Sequence, residues 1–319
     1  MTTMINPQQG LLSRCLPGAE PVLFSQTVPR HLVHRESASE VFITDLRVTG
    51  FNTFLVGTRW PGSHSFYGPT TRHSHDPMLL LESLRQAGLL IAHVAFEVPI
   101  DHRFITHEKR FDIAPEGLRT NGSEPVDVLV EVTAQDIRRR GRGFAGMLFE
   151  YRCLRDGQEI ATAAIRWSCV SAAGYARLRG AHHEVEPGSI GDSPGMAPAL
   201  VGRCSARDVM ISDAHGGEGF LLRLDPTHPV VFDHLVDHVP GMAAVEAARQ
   251  AAMVLLGQSR ALPIRGDLAL SHYVEFDQPC VIRVEPDGVS AVAGASVVRV
   301  VLEQDGHVAA SGTLELLAA

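Results

Sequence analysis

The chain has 319 residues, 45% of them hydrophobic and 20% charged, with mean hydropathy +0.05 and a formal net charge of −8. That length suggests roughly two domains with sizeable cores, and the composition is ordinary for a soluble globular protein. The acidic total argues against general affinity for nucleic acid, though not against a local basic pocket, and no apolar run is long and clean enough to span a bilayer.

Residues 1–30 carry Pro17, Gly18, Pro21 and Pro29 and read as an irregular N-terminal arm. Met1 to Gln9 is polar and lacks the charged-then-apolar pattern of a signal peptide. Short strands are expected at Val41–Ile43 and Phe51–Arg59. The turn-rich segment Trp60–Tyr67 then leads to the stretch His75–His93, around which the rest is arranged. Asp76 is placed to cap free amides and Pro77 to take the first helical position, where no amide is needed. The helix that follows is apolar on nearly every side, so other structure should wrap it. Glu82, Arg85 and Gln86 interrupt it, and residues three and four apart share a face. Buried charge without a partner is costly, so this patch is either internally paired or faces a cavity. Val126–Val132 alternates with period two, as a half-buried strand does. Phe144–Cys153 and Glu159–Val170 are further strands, joined by the turn Arg155-Asp156-Gly157-Gln158.

Glycine and proline from 173 to 200 mark a linker. Beyond it the order repeats: strands near Val209 and at Gly219–Leu224, a helix from Pro240, then strands at Ala269–Phe276, Val281–Val284, Ala293–Leu302 and His307–Leu317. The second helix carries Glu246, Arg249 and Gln250, each 164 residues after its counterpart (246 − 82 = 164). Upstream, Glu40-Val41-Phe42-Ile43-Thr44-Asp45 parallels Asp208-Val209-Met210-Ile211-Ser212-Asp213 at 213 − 45 = 168. Two colinear matches indicate an internal duplication, with repeats at 31–172 and 201–319. A sheet curled around one long apolar helix is the hotdog architecture. The fold class expected is therefore α+β, a tandem double hotdog whose two helices face a shared interface, with Glu82 and Glu246 related by a pseudo-twofold axis.

The Glu–Arg pairs have the spacing of simple intrahelical salt bridges, worth a few tenths of a kcal/mol when exposed. Their apolar setting and their recurrence point instead to a functional cavity. Among the 16 histidines, His64 and His228 stand in similar places before their helices, and His75 lies beside a helix start where a ligand could be held. A capping or internally satisfied histidine is the ordinary alternative for each. Asp233-His234 and Asp237-His238 have a metal-like i,i+4 spacing but no third ligand, so a solvated turn is favoured and no metal is expected. Cys15, Cys153, Cys169, Cys204 and Cys280 are odd in number with no CxxC, which suits a reduced, cytoplasmic protein. Lys109 is the only lysine beside 27 arginines; codon bias accounts for this, and arginine is also the better grip for phosphate. There is no GxSxG, no GxGxxG and no P-loop. Chemistry here should rest on acid–base and electrostatic help with both substrates held together, and no cofactor is expected.

Val33-His34-Arg35, Glu40–Asp45, Trp60–Tyr67 and His75–His93, continuing into Val98-Pro99-Ile100 and Phe104, carry a resemblance, as do Asp237–Met242 and Glu246–Gln250. At these residues the chain resembles the A-factor biosynthesis (AfsA-type) γ-butyrolactone autoregulator synthases, over most of 31–319. The resemblance implies an acyltransferase that joins a β-ketoacyl chain from an acyl-carrier protein to the hydroxyl of dihydroxyacetone phosphate. Other enzymes then take the cyclised ester to a butyrolactone, furan or butenolide signal that controls antibiotic production. It implies Glu82, Glu246 and Arg249 as catalytic positions, one glutamate as the base and Arg249 first for the phosphate or oxyanion. The residue reading adds Arg85, Gln86, Gln250, His75, Asp76 and His64 as substrate-binding, with helix-start amides near Asp76 holding a carbonyl. The alternatives are a thioesterase or dehydratase acting on the same thioester, and a non-catalytic binder of a lipid signal. The partners expected are acyl-carrier protein and dihydroxyacetone phosphate, with no nucleic acid and no membrane, in a monomeric double hotdog or a homodimer.

Overall fold

A computed structural model describes residues 21–68, 73–141, 143–183, 185–187, 194–214 and 219–318. Most of the expected arm, residues 1–20, lies outside the described residues. Twice along the chain a short strand pair precedes a long helix, and four further strands follow it. The first set is β1 (Ile43–Val48), β2 (Thr53–Trp60), helix α1 (Pro77–Val94), β3 (Arg103–Ile113), β4 (Val126–Arg140), β5 (Gly143–Arg155) and β6 (Gln158–Val170). After helix α2 (Ala172–Arg179) come β7 (Ile211–Asp213), β8 (Phe220–Leu222), helix α3 (Gly241–Leu256), β9 (Leu262–Leu270), β10 (Cys280–Val289), β11 (Ala295–Gln304) and β12 (His307–Leu317). All twelve strands form one sheet in the order β1-β2-β4-β5-β6-β3-β9-β12-β11-β10-β8-β7. The second half repeats the first in reverse, and the two meet at an antiparallel seam where Glu108–Asp112 pairs with Ala269–Arg265.

The helices form as their sequences dictate. Asp76 accepts the Met78 amide at 2.9 Å, and Pro77 starts α1. Every residue of α1 from Pro77 to His93 except Arg85 is buried. Helix α3 has Pro240 at its start, with no side-chain cap, and stops at Gly257, whose φ of 64° is the left-handed conformation that glycine adopts freely. Among the described residues no helix is long and apolar enough to cross a membrane.

Local departures from expectation have tertiary causes. Val41 and Phe42 are not strand: the Phe42 amide is taken by the Gln86 side chain at 3.0 Å, so the ladder begins at Ile43. The expected strand Ala269–Phe276 leaves the sheet after Leu270; Val274 and Phe276 are buried as loop residues, and Val274 accepts the Val239 amide. The expected linker begins with a helix, capped where Ser171 accepts the Gly174 amide. Strand β3 forms the seam, and its alternation is masked because one core position is a lysine: Lys109, Phe111 and Ile113 are buried while Arg110 and Asp112 between them are exposed.

Candidate active site

Each long helix buries a glutamate, and the glutamate is held the same way in both repeats. Glu82 Oε1 accepts from Arg35 Nη2 at 2.6 Å, Arg85 Nη2 at 2.8 Å and Gln86 Nε2 at 2.8 Å, while Oε2 accepts from Arg85 Nε at 2.8 Å. Glu246 Oε1 accepts from Arg203 Nη2 at 2.7 Å, Arg249 Nη2 at 2.9 Å and Gln250 Nε2 at 2.7 Å. Gln86 and Gln250 also accept the amides of Phe42 and Met210, so they tie the helices to the residues just before β1 and β7. His64 and His228 are turn-holders: each Nδ1 accepts two amides, from Phe66 and Tyr67 or from Val230 and Val231, and each Nε2 meets Glu40 or Asp208. Arg35 and Arg203 are the partners that the helix pattern could not show, since they come from segments far upstream. Their spacing of 203 − 35 = 168 equals that of the upstream match and is a signal by which they could have been found.

Burial pushes both carboxylates up, but the two guanidiniums beside each outweigh it and hold Glu82 and Glu246 well below the usual carboxylate range. Each arginine also crosses between repeats: Arg35 Nη1 donates to Val230 O at 3.0 Å, and Arg203 Nη1 donates to Phe66 O.

At the helix start the repeats diverge. Asp76 in the first corresponds to Pro240 in the second (240 − 76 = 164). The Asp76 carboxylate reaches into the second cluster, where Arg249 Nη1 donates to it at 3.1 Å and Arg203 Nη1 lies 3.4 Å away. The Arg249 side chain is therefore ion-paired to two carboxylates and 2% exposed. Arg85 has no such second carboxylate, is 26% exposed, and its Nη1 makes no hydrogen bond among the described residues.

Arg85 and Glu82 line a cavity of ≈ 660 Å³ with aromatic and aliphatic walls from Leu89, Phe104, Tyr151, Ile165, Trp167 and Leu270. Of the residues selected from sequence, these two face it. Glu246, Arg249, Gln86, Gln250, His64, His75 and Asp76 do not line it. His75 is 1% exposed and packs edge-on against Trp60 instead, and the amide of Met78 near the helix start is already taken by Asp76.

The cavity brings together groups that sequence reasoning left aside. His234 and His238 line it, which corrects the reading of that segment as a solvated turn; burial first, then Arg85 and Arg35, hold His234 down at about 4. His34 lines it too. His93 Nδ1 donates to Val98 O at 2.7 Å, so His93 Nε2 accepts from His34 Nε2 at 2.9 Å, and His34 Nδ1 is the unprotonated nitrogen. Burial, then His93 and Arg85, hold His34 at about 3. Lys109, from the seam strand, also lines the cavity; it is 5% exposed, and burial brings its amine down to about 8 against the opposing pull of Glu82. Among the described residues no group of histidine, cysteine and carboxylate side chains is placed to hold a metal ion.

Residues 19–171 and 193–319 match the family AfsA, the A-factor biosynthesis hotdog domain. The chain belongs to this family. A relative from Streptomyces virginiae named 2-oxo-3-(phosphooxy)propyl 3-oxoalkanoate synthase is 40% identical over 82% of this chain and 88% of its own. Relatives of the same name from Streptomyces coelicolor and Streptomyces griseus are each 33% identical, over 90% and 89% of this chain and 90% and 93% of theirs. The AfsA domain match and the twelve-stranded sheet with two buried helices agree on the double-hotdog, α+β class.

Proposed function

We propose that this AfsA enzyme transfers a β-ketoacyl chain from an acyl-carrier-protein thioester to the hydroxyl of dihydroxyacetone phosphate. The product is a 2-oxo-3-(phosphooxy)propyl 3-oxoalkanoate, the precursor of a γ-butyrolactone, furan or butenolide signal. The observation that carries this reading is the placement of Arg85, a guanidinium braced on one side by Glu82 and open on the other to a cavity that joins aromatic walls to polar side chains. Such a cation suits the phosphate of the acceptor, and a planar donor pre-set by its own carboxylate loses little freedom on binding. The aromatic walls suit the acyl chain, and holding both substrates in one enclosure supplies proximity. The phosphate grip thus belongs to Arg85 rather than Arg249, and Glu82 acts as the brace for Arg35 and Arg85. A carboxylate so fully engaged is a poor activator of water, which disfavours hydrolysis of the thioester.

The test is incubation with a β-ketoacyl thioester and dihydroxyacetone phosphate, read by mass spectrometry. The phosphorylated ester is expected. Free β-keto acid alone would make the protein a thioesterase, loss of water from a 3-hydroxyacyl thioester a dehydratase, and retained ligand with no product a binding protein.

A further inference from the structure

Acyl transfer to an alcohol needs a group to take the hydroxyl proton, and neither helix glutamate is free to do so. Glu82 Oε1 and Oε2 are both occupied by arginine donors, and Glu246 lies outside the cavity. Asp237 is committed to Tyr175 at 2.6 Å, His238 at 2.8 Å and Arg179 at 3.1 Å. His34 and His234 carry free nitrogens, but burial leaves them weak bases.

We propose, on the acyl-transfer reading above, that Lys109 is the general base for the acceptor hydroxyl. Among the described residues its Nζ has one hydrogen-bond partner, the Met242 sulfur at 2.9 Å, and a thioether is only a weak acceptor. On the sheet it is flanked by Ile165 and Leu268, which bring no charge. The charged groups that act on it are Glu82 and Arg85, both from α1. An uncompensated amine buried against a cavity is the setting that favours its neutral, proton-accepting form. The amine becomes available near neutral pH, where a general base is most effective.

The second repeat has no equivalent. The turns Asp156-Gly157 and Asp305-Gly306 align β6 with β12 at 306 − 157 = 149. Ile165 then matches Leu314; Ile165 pairs with Lys109, whereas Leu314 pairs with Gly266. The space beside Gly266 is filled by the Phe111 ring, 2.4 Å from where a Cβ would stand. The amine and the open arginine therefore belong to the same repeat.

In the step, the Lys109 nitrogen takes the hydroxyl proton as the acceptor oxygen bonds to the thioester carbonyl carbon. Collapse of the tetrahedral adduct breaks the C–S bond, and the ammonium returns the proton to the leaving sulfur.

The experiment is steady-state ester formation against pH, by parent, Lys109→Met and Lys109→Arg, with melts confirming that each variant is folded. Parent kcat/KM is expected to rise with pH through a midpoint near 8. Both variants should lose on the order of 10²–10⁴-fold in kcat, and Lys109→Met should lose the rising limb. Lys109→Ala should be rescued by methylamine but not by guanidinium, which brings charge without a usable lone pair. Lys109→Arg at the parental rate, guanidinium rescue, or a rising limb surviving in Lys109→Met but lost in His238→Asn would each overturn the base role alone. A parent that forms no ester would overturn the acyl-transfer reading and this inference with it.

Discussion

The two glutamate clusters share a design and differ in outcome. Around Glu246 the cations are matched by a second carboxylate, Asp76, and the ensemble is sealed. Around Glu82 the same three donors surround the carboxylate, but no second acid neutralises Arg85, and its guanidinium opens to the cavity. The lesson is that a duplicated charge motif need not give two sites. Asp233, 3.8 Å from Arg35, balances the charge of the first cluster too, so what differs is exposure: a buried ion network whose cations are all enclosed is a structural part, and one whose outer guanidinium opens to a cavity is a binding part.

This contrast can be broken at its strongest point by Arg249→Ala. That change leaves Asp76 and Glu246 sharing Arg203 as their remaining cation, and about 3–5 kcal/mol of stability should be lost. Urea denaturation measures it; a variant that unfolds like the parent yet fails to turn over would return Arg249 to the chemistry.

Next in size, Lys109→Met should stabilise the fold. Lys109 releases its proton at about 8 in the folded chain against an ordinary 10.5. The unfolded chain therefore binds the extra proton between those values, and stability falls as pH drops from 10.5 to 8 and stays lower below that. The variant should gain on the order of 2–3 kcal/mol at pH 7, and the gain should vanish above pH 10.5. Melts across pH check this; an advantage that grows with pH would contradict the buried, neutral amine.

Gly266→Ala tests the filled counterpart of Lys109. A methyl there meets the Phe111 ring and should destabilise by about 1–3 kcal/mol without touching ester formation. If calorimetry shows no change, Phe111 does not fill that space tightly.

Arg85→Ala should have the smallest effect on the fold, about 1 kcal/mol, because Glu82 Oε1 keeps Arg35 and Gln86 while Oε2 loses its Arg85 donor. The kcat/KM for dihydroxyacetone phosphate should nonetheless fall by about 10²-fold or more, mainly through a raised KM, where loss of one oriented cation is felt. Intact kinetics in this variant would remove the reason for placing the site in the first repeat.

Much of the molecule was legible in the chain itself. The i, i+3 and i+4 spacing that joins Glu82 to Arg85 and Gln86 is a property of one helix, so it can be read locally and found again 164 residues later. Capping by Asp76, the turns at Asp156-Gly157 and Asp305-Gly306, and the strand His307–Leu317 are local in the same sense. The seam strand Arg103–Ile113 was not legible, because its neighbours come from β6 and β9 and its charges hide the alternation. The sequence by itself determined the duplication, the two buried helices and the identity of the charges they carry, since these follow from short-range periodicity. Only the tertiary structure decided which charge is satisfied and which is open. That depends on Arg35, Asp76, Arg203 and Lys109 arriving from distant segments, and on burial, which makes one open guanidinium or buried amine far more consequential than its place in the sequence suggests.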